Sequence, residues 1–279
     1  MSISDATSSL PRRARAELIF LQLWNYRHFI LAGVAREIRA RYLGSLLGGA
    51  WVVLSPLGMI LVYTFIFSNI MKARLPGVDT TYGYSIYLCA ALLPWQAFCE
   101  VLVRCQTVFT DNANLIKKAS FPRLCLPAAV TVTALINFAV VFCLFLIFLA
   151  LTGQLPGVAL VAVIPLLILQ TLFAVGLGVA LGVIHVFFRD VGQIVSVGLQ
   201  FWFWGTPIVY PMQIIPENWR WLLELNPMYW FASTWQMLFT LHAFPSVTRL
   251  AGLSVLAALA VGIGLLLYFR HGPYIVDEL

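Results

Sequence analysis

Residues 36–56 read REIRARYLGSLLGGAWVVLSP, and this stretch carries the chain from water into lipid. After Arg41 there is no formal charge until Lys72. At ~1.5 Å per residue that is ample chain to cross a hydrocarbon layer of about 30 Å. A basic helix lying on the membrane surface is therefore expected to hand over directly to a first spanning helix. The handover falls at Gly44, Gly48 and Gly49, where close backbone approach or a bend brings little steric strain. Upstream, from Leu18 to Leu43, a helical reading puts Trp24, Leu31, Val34, Ala35, Ile38 and Tyr42 on one stripe. Arg36 and Glu37 then point away, Arg39 and Arg41 flank the stripe, and Arg27 falls on it. Such a helix serves as a lipid-surface anchor or as an interface helix touching a partner subunit, and spacing alone leaves both open.

Of the 279 residues, 61% are hydrophobic and only 10% charged, with a mean hydropathy of +0.91. Soluble domains carry about 25% charged residues, so this inventory cannot build a water-facing surface. An all-α membrane protein is expected. Residues 1–17 read as a cytoplasmic tail without a cleavable signal peptide, 18–48 as the amphipathic helix with its hinge, and 49–279 as one domain. Six spans are placed near 50–70, 84–108, 128–151, 158–186, 194–211 and 249–269. The segment between the last two is too long and too aromatic for a plain linker.

The five cysteines show no metal-ligand spacing, and four sit in or beside apolar runs, where cysteine behaves as a small hydrophobe. Basic residues orient the chain. With the amino terminus inside, 13 of the 17 lysines and arginines fall on the cytoplasmic side, which favours both termini in the cytoplasm. The net charge of +6 then faces anionic headgroups and implies no nucleic acid.

Four features stand out within this frame. Glu100 and Arg104 lie one turn apart in the second span and can pair, as a structural pair or as part of a substrate path or subunit interface. The cytoplasmic loop 111–127, DNANLIKKASFPRLCLP, reads as a short helix capped by Asn114 and stopped by Pro122. It presents Lys117 and Lys118 with an exposed apolar tip of Leu115, Ile116 and Phe121, followed by Arg123. It anchors to headgroups, or it docks a cytoplasmic partner, in which case Ile116→Asp uncouples the two. Gly176, Gly178 and Gly182 permit close helix contact in the fourth span. Finally, six of the nine tryptophans lie between 202 and 235, interrupted by Pro207, Pro211, Pro216 and Pro227. This block reads as an interfacial aromatic belt, or as half-helices dipping into the outer leaflet with ring faces open to sugars. There is no phosphate loop, no HExxH and no nucleophile constellation.

The ordered segments RYLGSLLGGAWVVLSPL, LLPWQAFCE, NANLIKKASFPR, FRDVGQI, and TPIVYP through LNP resemble the membrane-spanning subunit of ABC-2-type polysaccharide exporters. The resemblance is strongest to O-antigen export permeases and more distant to capsule and teichoic-acid permeases. It implies a homodimer of permeases, two separate ATP-binding subunits holding ATP and Mg, and a lipid-linked polysaccharide substrate. No cofactor is expected in this chain, and the short tail after the last span leaves no room for a fused ATPase. By the same resemblance, Asn114, Leu115, Ile116, Lys117, Lys118, Phe121 and Arg123 belong to the ATPase-coupling helix. Arg36, Arg39, Arg41, Tyr42, Gly44 and Gly48 form the interface helix and its hinge. Short re-entrant gate helices fall between Pro211 and Phe239, and Trp202, Trp204, Tyr210, Trp219, Trp221, Tyr229 and Trp230 are candidates for the sugar path or gate. A membrane glycosyltransferase or other lipid-modifying enzyme is the alternative of another class, but Asp79, Glu217 and Glu224 are too separated to form its catalytic cluster. A secondary transporter should show more intramembrane ionisable groups and an internal repeat.

Overall fold

A computed structural model describes residues 21–42, 50–66, 82–118 and 121–279. The hinge glycines Gly44 and Gly48, and the tail 1–17, lie outside the described residues. Every regular element among those described is helical. Helix α1 (Arg27–Tyr42) follows a turn at Tyr26, and α2 (Trp51–Thr64) begins the apolar region. Next come α3 (Gly83–Asp111), the six-residue α4 (Ala113–Lys118), α5 (Cys125–Leu151), and a 3₁₀ turn (Gly157–Ala162) leading into α6 (Val163–Phe187). Helix α7 (Val191–Trp204) precedes two 3₁₀ turns and the short α8 (Arg220–Glu224). The chain closes with α9 (Pro227–Thr240), α10 (Val247–His271) and α11 (Ile275–Glu278).

Four helical stretches are long and apolar enough to cross a membrane: Gly83–Asp111, Cys125–Leu151, Gly157–Phe187 and Val247–His271. These coincide with four of the expected spans. The other two differ. Helix α2 has 14 residues, its coil widens at 65–66, and residues 67–70 of the expected first span are outside the described set. Helix α7 also has 14 residues, about 21 Å at ~1.5 Å per residue, and stops at Trp204 instead of continuing to Pro211. Pro207 is one physical reason, since a proline lacks the N–H that helix continuation needs.

The core is set by α6, which packs on α10 and α3 more than on any other element. A side chain at Gly176 would lie 2.4 Å from the backbone of Ala260 and Val261, and one at Gly264 would lie 2.4 Å from the Gly176 carbonyl. Across the other face, a Cβ at Gly178 would lie 2.6 Å from the Cβ of Cys105, and one at Gly182 would lie 2.7 Å from the Cys105 carbonyl. Backbone thus meets backbone on both sides of α6, the arrangement that small residues allow in lipid. Gly176 opposite Ala260 and Phe187 opposite His271, with rings 6.0 Å apart, share one sequence offset. Helices α6 and α10 therefore run parallel, and the chain between them must travel back along the bundle before α10 begins.

Helix α1 packs on the first turns of α5, with Gly33 against Ala129 and Glu37 against Thr133. Its buried residues are Ile30 and Val34, while Trp24 and Leu31 of the expected stripe are 60% and 56% exposed. Glu37, expected to point away, faces the bundle. The packed face is chosen by what Glu37 can bond, which an apolar-stripe count ignores.

Gly176→Ala should destabilise the bundle by about 1–3 kcal/mol, because backbone atoms on α10 cannot step aside for the new methyl. Gly262→Ala, with open space around its Cα, is the control and should unfold like the unsubstituted protein. Thermal unfolding in detergent checks both.

Candidate functional site

A groove of about 500 Å³ runs between α3 and α7, lined by Trp95, Cys99, Val103, Ser196, Leu199, Gln200, Phe203 and Trp204. Apart from the Cys99 thiol, none of these side chains ionises. The groove offers indole and phenyl surface together with one hydroxyl and one amide. That set suits rings with an apolar face and neutral hydroxyls at the edge, and gives no counter-charge to an anion. Along α7 no residue is buried, and Ile194, Phe201 and Trp204 are more than 60% exposed.

The wall is held by aromatic contact and by a hub at Asn226. Trp202 meets Trp95 and Phe98 edge-on, at 6.2 and 5.5 Å between ring centres, and Phe98 stacks on Phe173 at 5.7 Å. The Trp202 indole N–H donates to Asn226 Oδ1 at 2.7 Å, and that oxygen also accepts from the Met228 N–H at 3.0 Å. Asn226 thus caps α9, with Pro227 at the first helical position, where a missing N–H does no harm. Its amide donates to the Gly205 carbonyl at 3.0 Å and to Thr206 Oγ1 at 2.9 Å.

The irregular stretch after α7 exposes carbonyls that lipid could not satisfy. Tyr87 donates to the carbonyls of Pro207 and Tyr210 at 3.3 and 3.2 Å, Gln236 donates to Pro207 at 2.9 Å, and Tyr84 donates to Val209. Tyr210 in turn reaches the Trp204 carbonyl at 2.6 Å. Deeper in the bundle, Gln170 donates to the Pro94 carbonyl at 2.8 Å and accepts from the Trp235 indole at 2.6 Å. Among the aromatics singled out from sequence, Trp202, Trp204 and Tyr210 gather at this wall. Tyr229 and Trp230 sit elsewhere, flanking the Arg249 guanidinium at 5.9 and 5.6 Å. Trp219 and Trp221 are more than half exposed at the α8 turn.

At the opposite end, α4 corrects two expectations. It begins at Ala113, so Asn114 lies inside it, and the carbonyl of Asn112 accepts its first backbone bonds. Its described residues run to Lys118, and residues 119–120, just ahead of Pro122, lie outside the described set. Its apolar tip is not exposed: Ile116 is 7% exposed, Leu115 and Phe121 pack on the core, and the Phe121 ring lies 4.9 Å from Phe29. A six-residue helix against a bundle must bury one face, and here the apolar one goes in. Asn114, Lys117 and Lys118 form its exposed surface. Arg123 donates to the Gly272 carbonyl, tying the base of this segment to the end of α10, and α11 buries Ile275 fully beneath it.

Glu100 and Arg104 pair as the spacing implies, at 3.2 Å, and Arg104 also bonds Glu37. Asn137 donates to Glu100 at 2.8 Å and Thr133 to Glu37 at 3.3 Å. Arg36 and Arg39 are exposed on α1, and Arg41 and Tyr42 close that helix. Sequence reasoning missed Glu37 and Asn226. The Asn-Pro pair ahead of an apolar run was a visible cap signal, whereas the partner of Glu37 lies 67 residues away and had no local trace.

The family model described as ABC-2 type transporter matches residues 28–239. Among curated proteins, the chain is 34% identical over 238 residues to the O-antigen export system permease protein RfbA of Myxococcus xanthus, covering 85% of this chain and 89% of that one. It is 32% identical over 205 residues to a protein of the same name from Klebsiella pneumoniae, covering 73% and 77%.

Asn226→Ala should remove the α9 cap and the Trp202 acceptor together, lowering stability by about 1–2 kcal/mol. Asn226→Asp keeps an acceptor oxygen for both N–H groups and should recover most of that loss. Unfolding followed by tryptophan fluorescence separates the two.

Proposed function

Because the chain belongs to the ABC-2 type transporter family, we propose that it is the permease of an ATP-driven exporter moving lipid-linked O-antigen polysaccharide across the inner membrane. The carrying observation is the uncharged, aromatic groove between α3 and α7, in a chain similar to permeases named for O-antigen export. Aromatic faces hold sugar rings through their CH surfaces, and Ser196 and Gln200 can exchange hydrogen bonds with hydroxyls as the chain slides. Two permeases would pair, so that α7, none of whose residues is fully buried within its own chain, faces the conduit or its copy.

Six crossings, with both termini in the cytoplasm, are the topology this reading uses. The parallel run of α6 and α10 supports a crossing between them, made by α7 and the hydrogen-bonded stretch after it. Helix α2 would supply the first crossing, and α1, joined to it by the segment with Gly44 and Gly48, would be the interface helix. The turns 212–219, α8 and α9 would form the gate at the outer mouth, with Trp219 and Trp221 at the headgroup level.

The motor lies elsewhere. ATP and Mg would be held by two separate subunits, each receiving one α4 as its coupling helix. Contact would be made by Asn114, Lys117 and Lys118, with Ile116 and Phe121 fixing the helix from inside. Only contacts that differ between two packings of the permease can convert nucleotide binding into transport.

Lys117→Glu combined with Lys118→Glu tests the docking surface. Both residues are exposed, so the protein should reach the membrane at unchanged level. Co-purification of the ATP-hydrolysing subunit and surface O-antigen should each fall by roughly ten-fold or more. Normal export by this variant would overturn the assignment of α4. Loss of the gene with no change in surface O-antigen would overturn the function itself.

A further inference from the structure

We infer that Glu37 is a positioning residue for transport: through Arg104 it fastens α1 to the stretch of α3 that walls the groove. The inference rests on the export reading above, and assigns Glu37 a part in it.

Glu37 is the only residue of α1 that reaches an ionised group of another helix among the described residues. It bonds Arg104 on α3 and accepts from Thr133 on α5. Arg104 pairs with Glu100, and Glu100 accepts from Asn137. Three helices of separate sequence origin are thus joined by one polar cluster between otherwise apolar faces. Its place in the bundle is what gives it a role. Val103 and Cys99, each adjacent in sequence to a member of the pair, line the groove. At the other end of α1, Phe29 rests against Phe121, just beyond α4. Helix α1 therefore bridges the docking segment and the groove wall, touching the first by a ring contact and the second by charge.

A partly buried charged cluster is poor evidence for stability, because desolvating the ions offsets their attraction. What it supplies is direction and register, since a guanidinium fork fits its carboxylates in few geometries. An apolar contact could slide, while this one transmits a displacement of α1 to α3 without slip. Coupling between docking and groove would then depend on the pair, and assembly and nucleotide turnover would not.

The test uses the full complex, purified with its ATP-hydrolysing subunit, and follows exported glycan per ATP hydrolysed. Glu37→Gln and Arg104→Gln should each keep the subunits together and keep ATP turnover. Each should lower the export ratio on the order of ten-fold. The double variant should be no worse than Arg104→Gln alone, because the two act through one bond. Glu37→Asp keeps the charge and should hold most of the ratio, and it decides the matter if the neutral variant fails to accumulate. A normal ratio in Glu37→Gln overturns the inference, as do losses that multiply in the double variant. A complex that moves no glycan even without substitution would instead bring down the export reading.

Discussion

In a bilayer, apolar side chains gain little by leaving lipid for one another, so helices associate through close contact and hydrogen bonds. Here α6 meets both of its main neighbours with backbone against backbone, through Gly176 and Gly264 on one side and Gly178 and Gly182 on the other. The rest of the molecule is placed by that slab of three helices. Helices α5 and α9 close over α3, with Trp235 and Phe239 stacked and fully enclosed by Phe142 and Phe145. Helices α1, α2 and α7 ride at the edges, which leaves them the elements freest to shift.

Edge elements in lipid need tethers that apolar packing does not provide. Two of them, α1 and α7, have one built from polar side chains. Helix α1 is held by Glu37 and Arg104, and the stretch after α7 by Asn226, Tyr87 and Gln236. These bonds satisfy groups that hydrocarbon would leave bare, so the same residues that make an irregular backbone tolerable also determine where the groove wall stands.

The four long spans were legible because uninterrupted apolar runs have a single reading at that length. Helix α7 was harder. Gly205 and Pro207 interrupt it, but the apolar run resumes through Tyr210, and the pairing of carbonyls 207–210 with side chains on α3 and α9 shows that the helix has given way. The exposed tip expected at Ile116 failed for a related reason. A short amphipathic run announces that one face is apolar, and tertiary packing decides whether that face looks outward or in. The Glu100–Arg104 pair was readable from spacing within one helix. Its third member was not, because a contact between distant segments leaves no mark on local periodicity.

The carboxyl-terminal turn is wedged beneath α4 by the bond from Arg123 to Gly272 and by the enclosed Ile275. Leu279 follows the turn that contacts α4, the segment proposed above to seat the motor subunit. A fluorescent or affinity fusion appended there would crowd that seat, and an inactive fusion of this kind would signal obstruction and not misfolding.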